Sequence, residues 1–201
     1  LEKIKNIAEL EEIYGQPGAA SLRKVAARLT PEYAEWIERA HFCALASVGP
    51  EGTDCTPRGD DGPVVQIADP GTILMPDWRG NNRMDTLRNI VADGRVSLMF
   101  MVQGSTTVMR VNGRAVLTVS PEITQRFERD GKTPRSVIVI DIQETYFQCA
   151  RAVMRADLWS GQDRSEGLPT AGEFLAEMTA GEVGGADYDK TWPARAAKSM
   201  W

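Results

Sequence analysis

Leu74-Met75-Pro76-Asp77-Trp78-Arg79-Gly80-Asn81-Asn82-Arg83 joins an apolar run to an amphipathic one. On its N-terminal side, Thr72 to Met75 has the make-up of a short strand. On its C-terminal side, Met84, Leu87, Ile90 and Val91 recur at helical spacing until Asp93-Gly94 supplies a stop. The stretch is therefore expected at a helix N-terminus, where free backbone N–H groups and the positive end of the helix dipole favour an anion. Asn81 or Asn82 is placed to cap, and Arg79 and Arg83 add forked cationic donors. It reads as a phosphate clamp. Taken alone, the same residues read equally well as a solvated helix start, so the surrounding chain has to decide.

Working outward, the pattern is mostly that of short strands. Upstream, Val64 to Ala68 and Thr72 to Met75 flank the turn Asp69-Pro70-Gly71. The apolar run Phe42-Cys43-Ala44-Leu45-Ala46-Ser47-Val48 is followed by Gly49-Pro50-Glu51-Gly52 and a second extended piece around Asp54 to Arg58, which predicts another hairpin. Downstream, Val96 to Val102, Thr106 to Thr118 and Ser136 to Ile142 are three further strands. This density, with one helix interposed, predicts an antiparallel barrel rather than a βαβ sheet.

Helical pieces lie at both ends. Residues 1–14 place Ile4, Ile7, Leu10 or Glu11, and Tyr14 at helical intervals, and Ser21 to Leu29 reads as a second helix. Thr30-Pro31-Glu32 opens a third, with Tyr33, Trp36, Ile37 and Ala40 on one face. Ser120-Pro121-Glu122 starts another, ending by Phe127. Thr145 is expected to open an amphipathic helix carrying Phe147, Ala150, Val153 and Met154. Thr170-Ala171-Gly172-Glu173 is a capping-box pattern, and the tail from Glu182 holds Tyr188, Trp192 and Trp201. The expected organisation is a helical segment over 1–40 packing on the barrel, a barrel domain over 41–160, and a C-terminal helix and tail over 161–201.

Composition narrows the chemistry. With 201 residues and a net charge of −5, one core is expected and no global basic field recruits nucleic acid or an anionic membrane, so an anion site must be local. There is no apolar stretch of about 18 residues, and Glu2, Lys3 and Lys5 interrupt the first isoleucines, which predicts a soluble cytoplasmic protein. Cys43, Cys55 and Cys149 are odd in number and far apart, which argues against a disulfide framework. His41 is the single histidine and there is no CxxC, so a zinc site is not expected. With no nucleophile context nearby, His41 reads as a structural or surface residue.

Polar clusters stand out in the strand region: Thr56-Pro57-Arg58-Gly59-Asp60-Asp61, the clamp, and Arg110-Val111-Asn112-Gly113-Arg114. A flavin mononucleotide needs cations and N–H donors for its phosphate, polar partners for its ribityl chain, and positive character near its ring. The clusters supply that inventory.

With Pro57-Arg58-Gly59-Asp60, Pro76-Asp77-Trp78-Arg79-Gly80-Asn81-Asn82-Arg83, Arg88-Asn89-Ile90-Val91-Ala92-Asp93-Gly94-Arg95-Val96 and Arg110-Val111-Asn112-Gly113-Arg114-Ala115 in this order, the sequence resembles the pyridoxamine 5′-phosphate oxidase-like family of split-barrel flavin proteins, in its flavin-nucleotide-binding branch. The resemblance covers roughly Thr30 to Trp159. It implies a mainly β, α+β architecture with an antiparallel split barrel of the FMN-binding type. Its strand-end flavin contacts fall on Met75, Pro76 and Asp77, and its phosphate run on Arg79, Gly80, Asn81, Asn82 and Arg83. Arg58 and Asp60 match the preceding strand. The family's polar flavin-facing residue falls near Val108 or Arg110, and Arg110 is the one able to do that task. The family also pairs two barrels with flavin in the interface, which implies a homodimer and puts Gln148 near the partner's cofactor.

The resemblance implies FMN as cofactor and hydride exchange on an unidentified small molecule. The tail from Thr191 lacks the histidine-containing segment that holds the vitamin substrate in true pyridoxamine phosphate oxidases, and the segment from Arg83 to Gly94 is about one helical turn longer. These departures keep open a flavin carrier or sensor without turnover, and a barrel using deazaflavin.

Overall fold

The computed structural model describes residues 1–149 and 151–199. Ala150 and Trp201, named above, lie outside them. Seven antiparallel strands form one sheet: β1 (Phe42–Gly49), β2 (Gly52–Gly59), β3 (Gln66–Asp69), β4 (Thr72–Asp77), β5 (Arg95–Met101), β6 (Thr107–Thr118) and β7 (Ser136–Cys149), in the order β2-β1-β5-β6-β7-β4-β3. Helices α1 (Ile7–Tyr14), α2 (Ala19–Arg23) and α3 (Pro31–Ile37) precede the sheet and α4 (Asp85–Ala92) interrupts it. After β6 comes α5 (Pro121–Thr124), and α6 (Arg151–Arg155), α7 (Ala171–Met178) and α8 (Ala186–Ser199) follow β7. This is an α+β fold with an antiparallel split barrel. Among the described residues, no helix is long and apolar enough to cross a membrane.

Alternation of side chains along the strands builds the core. Cys43 and Leu45 of β1, Val96, Leu98 and Phe100 of β5, Met109, Val111 and Ala115 of β6, and Ile138, Ile140 and Ile142 of β7 point to one side and are buried together with Ile73 and Met75 of β4. Helix α3 closes this core as its sequence predicts: Thr30 caps by accepting from the Tyr33 N–H at 3.2 Å, Pro31 occupies the first turn, and Ile37 and Ala40 are buried. Helix α1 buries no residue.

Two predicted elements are corrected. The helix expected over Ser21 to Leu29 stops at Arg23, and the chain then pairs at Ala26 with Thr145. The expected helix from Thr145 is instead the second half of a 14-residue strand, β7. Thr145, Tyr146, Phe147 and Gln148 pair with Val111, Arg110, Met109 and Val108 of β6, and the helix starts only at Arg151. Thr-Tyr-Phe is a strongly strand-favouring run, and it alternates a fully buried Thr145 with an outward Tyr146. The other edge of this half-strand is covered by backbone hydrogen bonds between Ala26 and Thr145, at 2.9 and 2.8 Å.

The β6–β7 ladder contains a bulge between Asn112 and Gly113. There the Asp141 carbonyl oxygen comes so close that a Cβ on Gly113 would collide with it. Gly113→Ala is expected to cost about 1–3 kcal/mol, read as a lower urea midpoint with an unchanged m-value.

Candidate functional site

The sheet does not close by hydrogen bonding. Its edge strand β2 and the penultimate strand β4 at the opposite end face one another across a seam, and side chains join them. Arg58, Thr56 and Asp54 stand directly across from Cys43, Leu45 and Ser47 of β1, so they share the inward-facing side of the sheet. An Arg58 terminal nitrogen donates to Asp77 Oδ1 at 2.6 Å, with the two side chains only 20% and 17% exposed. Arg58 Nε is buried, and among the described residues it has no acceptor. A buried N–H left unpaired costs about 1–3 kcal/mol unless a ligand supplies the acceptor.

The loop after β4 is held by its own side chains. Asn81 Oδ1 accepts from the Arg83 N–H at 3.0 Å, and Asn82 takes a left-handed conformation with φ 61°. Neither asparagine caps the helix: α4 begins at Asp85 with Met84 as cap residue. The expected clamp is thus a loop ahead of the helix rather than its first turn, because the Asx turn at Asn81 uses the side chain that would have capped. Helix α4 is docked by Thr86 donating to Asp54 and by Asn89 donating to Ser47 Oγ at 3.1 Å.

These elements enclose two adjoining cavities. The first, about 460 Å³, is lined by Arg58, Asp77, Gly80, Asn81, Asn82 and Arg83, among others. The second, about 510 Å³, is lined by Arg58, Asp60, Met75, Pro76, Arg79 and Gly80, and both share Pro57, Arg58, Trp78 and Gly80. Each lies within the size range of cofactor pockets, about 300–1,000 Å³. Most of the residues singled out in sequence therefore meet at the seam. Met75 does so from the core, fully buried.

Arg110 and Gln148 do not line either cavity. Both lie on the side of the sheet facing away from the core. Arg110 is half-buried with its guanidinium 5.3 Å from the centre of the Tyr146 ring, and Gln148 is exposed opposite Val108.

Charges in the seam are closely balanced. Arg83 is 79% exposed, and its Nε–H donates to Asp85 Oδ2 at 2.6 Å, a contact that holds the guanidinium above its ordinary pKa. Asp60 is 3% exposed and pairs with Arg129 at 2.7 Å, while Asp61 bonds the same guanidinium. Burial pushes the Asp60 carboxyl up, its hydrogen bond with Asp61 pushes the same way, and Arg129 opposes both. Arg129 also lies over the Trp78 ring at 5.8 Å.

The sequence reading missed Arg135, which lines the first cavity and donates to Asn82 Oδ1 at 2.7 Å. Its only signal was a cation immediately before a strand. The site as built offers arginines for an anion, backbone at Gly80, and a buried, unsatisfied donor for a polar edge.

A family model described as pyridoxamine 5′-phosphate oxidase matches residues 29–149. The chain belongs to this family. The matched span begins at the buried Leu29, runs through all seven strands and contains both walls of the seam. Among solved structures, HupZ from Group A Streptococcus is 15% identical, with 61% of this chain and 95% of that chain covered and a TM-score of 0.50, which shows a shared fold. An FMN-binding protein from Syntrophomonas wolfei subsp. wolfei is 14% identical, covering 70% of this chain and 95% of that chain with a TM-score of 0.46. A protein related to general stress protein 26 from Clostridium acetobutylicum, of the pyridoxinephosphate oxidase family, is 9% identical, covering 59% and 86% with a TM-score of 0.45. No protein of curated function matches the chain.

Proposed function

We propose that this chain is an FMN-binding flavoprotein of the pyridoxamine 5′-phosphate oxidase family that performs two-electron oxidoreduction on a small molecule. The observation that carries the reading is the buried Arg58 Nε, without an acceptor, between a cavity rimmed by Asn81, Asn82 and Arg83 and a second one walled by Pro76 and Trp78. A phosphate at the first and a polar ring edge beside Arg58 would satisfy both features at once.

In this reading Arg83 and the Asn81-Asn82 loop bind the phosphate, and Arg135 steadies Asn82. Pro76 and Asp77 place the ring side of the cofactor, and the Arg58 guanidinium supplies positive charge there. Bound flavin supplies hydride exchange at its N5 atom. The protein's part is orientation, exclusion of water by Trp78 and Pro76, and electrostatic support from Arg58. The chain acts as a homodimer in which the outward sheet face bearing Arg110, Tyr146 and Gln148 meets a second copy.

The test is the visible absorption spectrum of the purified protein, followed by denaturation and identification of the released chromophore. FMN at about one per subunit is the expected outcome. Deazaflavin would keep the seam and change the cofactor, while a colourless protein that takes up no added flavin would remove the reading.

A second reading, a flavin carrier or sensor without turnover, is favoured by the tail. From Thr191 to Ser199 it carries no histidine and continues helix α8. Reduction by a nicotinamide nucleotide followed by acceptor-dependent reoxidation over many cycles would exclude it.

A further inference from the structure

β2 and β4 are not neighbours in the sheet, so among the described residues no backbone ladder sets the distance between them. Arg58 and Asp77 tie them near the ends of the two strands. The second cavity extends past that tie. One of its walls is Asp60-Asp61, which follows β2, and another is Trp78, which follows β4.

Arg129 lines neither cavity and holds both of these walls. Its guanidinium bonds Asp60 at 2.7 Å and Asp61 as well, and it lies over the Trp78 ring, 5.8 Å from the centroid. A planar fork reaches two carboxylates and stacks on an indole at once, which a point charge on a flexible stem does not. Asp60 is anchored from the other side. Its backbone N–H donates to the His41 carbonyl at 3.0 Å, and its side chain is 3% exposed, so giving up the cation is costly.

Arg129 is placed by a tight turn. It and Lys132 exchange backbone hydrogen bonds at 2.9 and 2.8 Å across Asp130-Gly131, whose φ angles are 50° and 75°. Consecutive positive φ values on Asp-Gly are those of a type I′ turn. The same connection ends at Arg135, which reaches Asn82 at the first cavity, and β7 leaves it with Ser136 opposite Asp77. One connection therefore braces the seam at both cavities.

We propose that Arg129 is a positioning residue for the ring side of the cofactor site: by holding Asp60-Asp61 and Trp78 together it fixes the width of the second cavity, and so the fit of a flat ring that it does not touch. The inference rests on the flavin reading of the seam.

The test is Arg129→Lys, which keeps a cation beside Asp60 but cannot hold both carboxylates and the indole. Two competitors of bound FMN divide the site: lumiflavin, the ring system without ribityl chain or phosphate, and inorganic phosphate. Each is read by the FMN it releases on ultrafiltration. In Arg129→Lys the affinities of FMN and lumiflavin are expected to fall about fivefold, with that of phosphate unchanged. The visible absorption bands of bound FMN should move toward those of free FMN. The Trp78 indole ¹H–¹⁵N signal, assigned by its loss in Trp78→Phe, should shift in the protein as isolated. A merely structural arginine would lower the urea midpoint and weaken both competitors alike, and that result would overturn the proposal. So would parental lumiflavin affinity, or a stationary Trp78 signal, in a folded Arg129→Lys protein whose parent binds FMN. A parent protein that takes up no flavin would overturn the proposed function, and this role with it.

Discussion

Arg58→Ala is expected to lower FMN affinity by about 30-fold or more and to loosen the seam at the same time. The affinity loss follows from removing a charge-assisted donor, worth about 2 kcal/mol, from a position that lines both cavities. The loss of stability comes from the other end of the pair. Asp77 is 17% exposed and would lose its 2.6 Å partner, which costs about 1–3 kcal/mol for a polar group this far from water. Flavin fluorescence quenching reads the first effect and a urea midpoint the second. The two are separable. Arg58→Leu combined with Asp77→Leu removes both members of the pair, and replacing a partly buried ion pair by apolar side chains is often close to neutral. That double variant should regain stability without regaining flavin. FMN affinity that stayed at the parent value in a folded Arg58→Ala protein would remove Arg58 from the site.

The strands and helix starts that were legible in the sequence carried strong local signals. Gly49-Pro50-Glu51-Gly52 forced the β1–β2 hairpin, Asp69-Pro70-Gly71 forced β3–β4, and in the latter Asp69 Oδ1 accepts from the Gly71 N–H at 2.7 Å. Thr170 and Glu173 form both halves of the capping box that their spacing predicts. The second half of β7 was not legible, because Phe147, Ala150, Val153 and Met154 happen to fall at helical spacing while the strand is fixed by pairing with β6, a partner remote in sequence. The same reason hid Arg135. Nothing near it in sequence marks a site; it reaches Asn82, 53 positions away, only once β7 lies beside β4. The polar clusters were readable as an inventory, but the seam that gathers them is a property of sheet order. Arg110 shows the limit from the other side: its cluster looked like the rest, yet strand phase turns it away from both cavities and onto Tyr146.

The phosphate end of the site is tested by a pair of substitutions expected to act in opposite directions. Arg83 is 79% exposed and held by Asp85 at 2.6 Å, so an incoming phosphate must compete with a carboxylate already in place. Arg83→Ala should weaken FMN by about 30-fold, about 2 kcal/mol, through loss of a charge-assisted contact. It should leave riboflavin affinity unchanged, since riboflavin has no phosphate. Asp85→Asn removes the competitor and should strengthen FMN by a few-fold, with the gain shrinking as salt screens the cluster. Neither change should alter the free energy of unfolding in urea by more than about 0.5 kcal/mol, because an exposed pair contributes little to stability, although Asp85→Asn also gives up a favourable charge in the first turn of α4. The comparison of FMN with riboflavin is the decisive reading. If Arg83→Ala weakened both ligands equally, Arg83 would be acting on the ring or on the fold, and the phosphate would have to be assigned elsewhere in the seam.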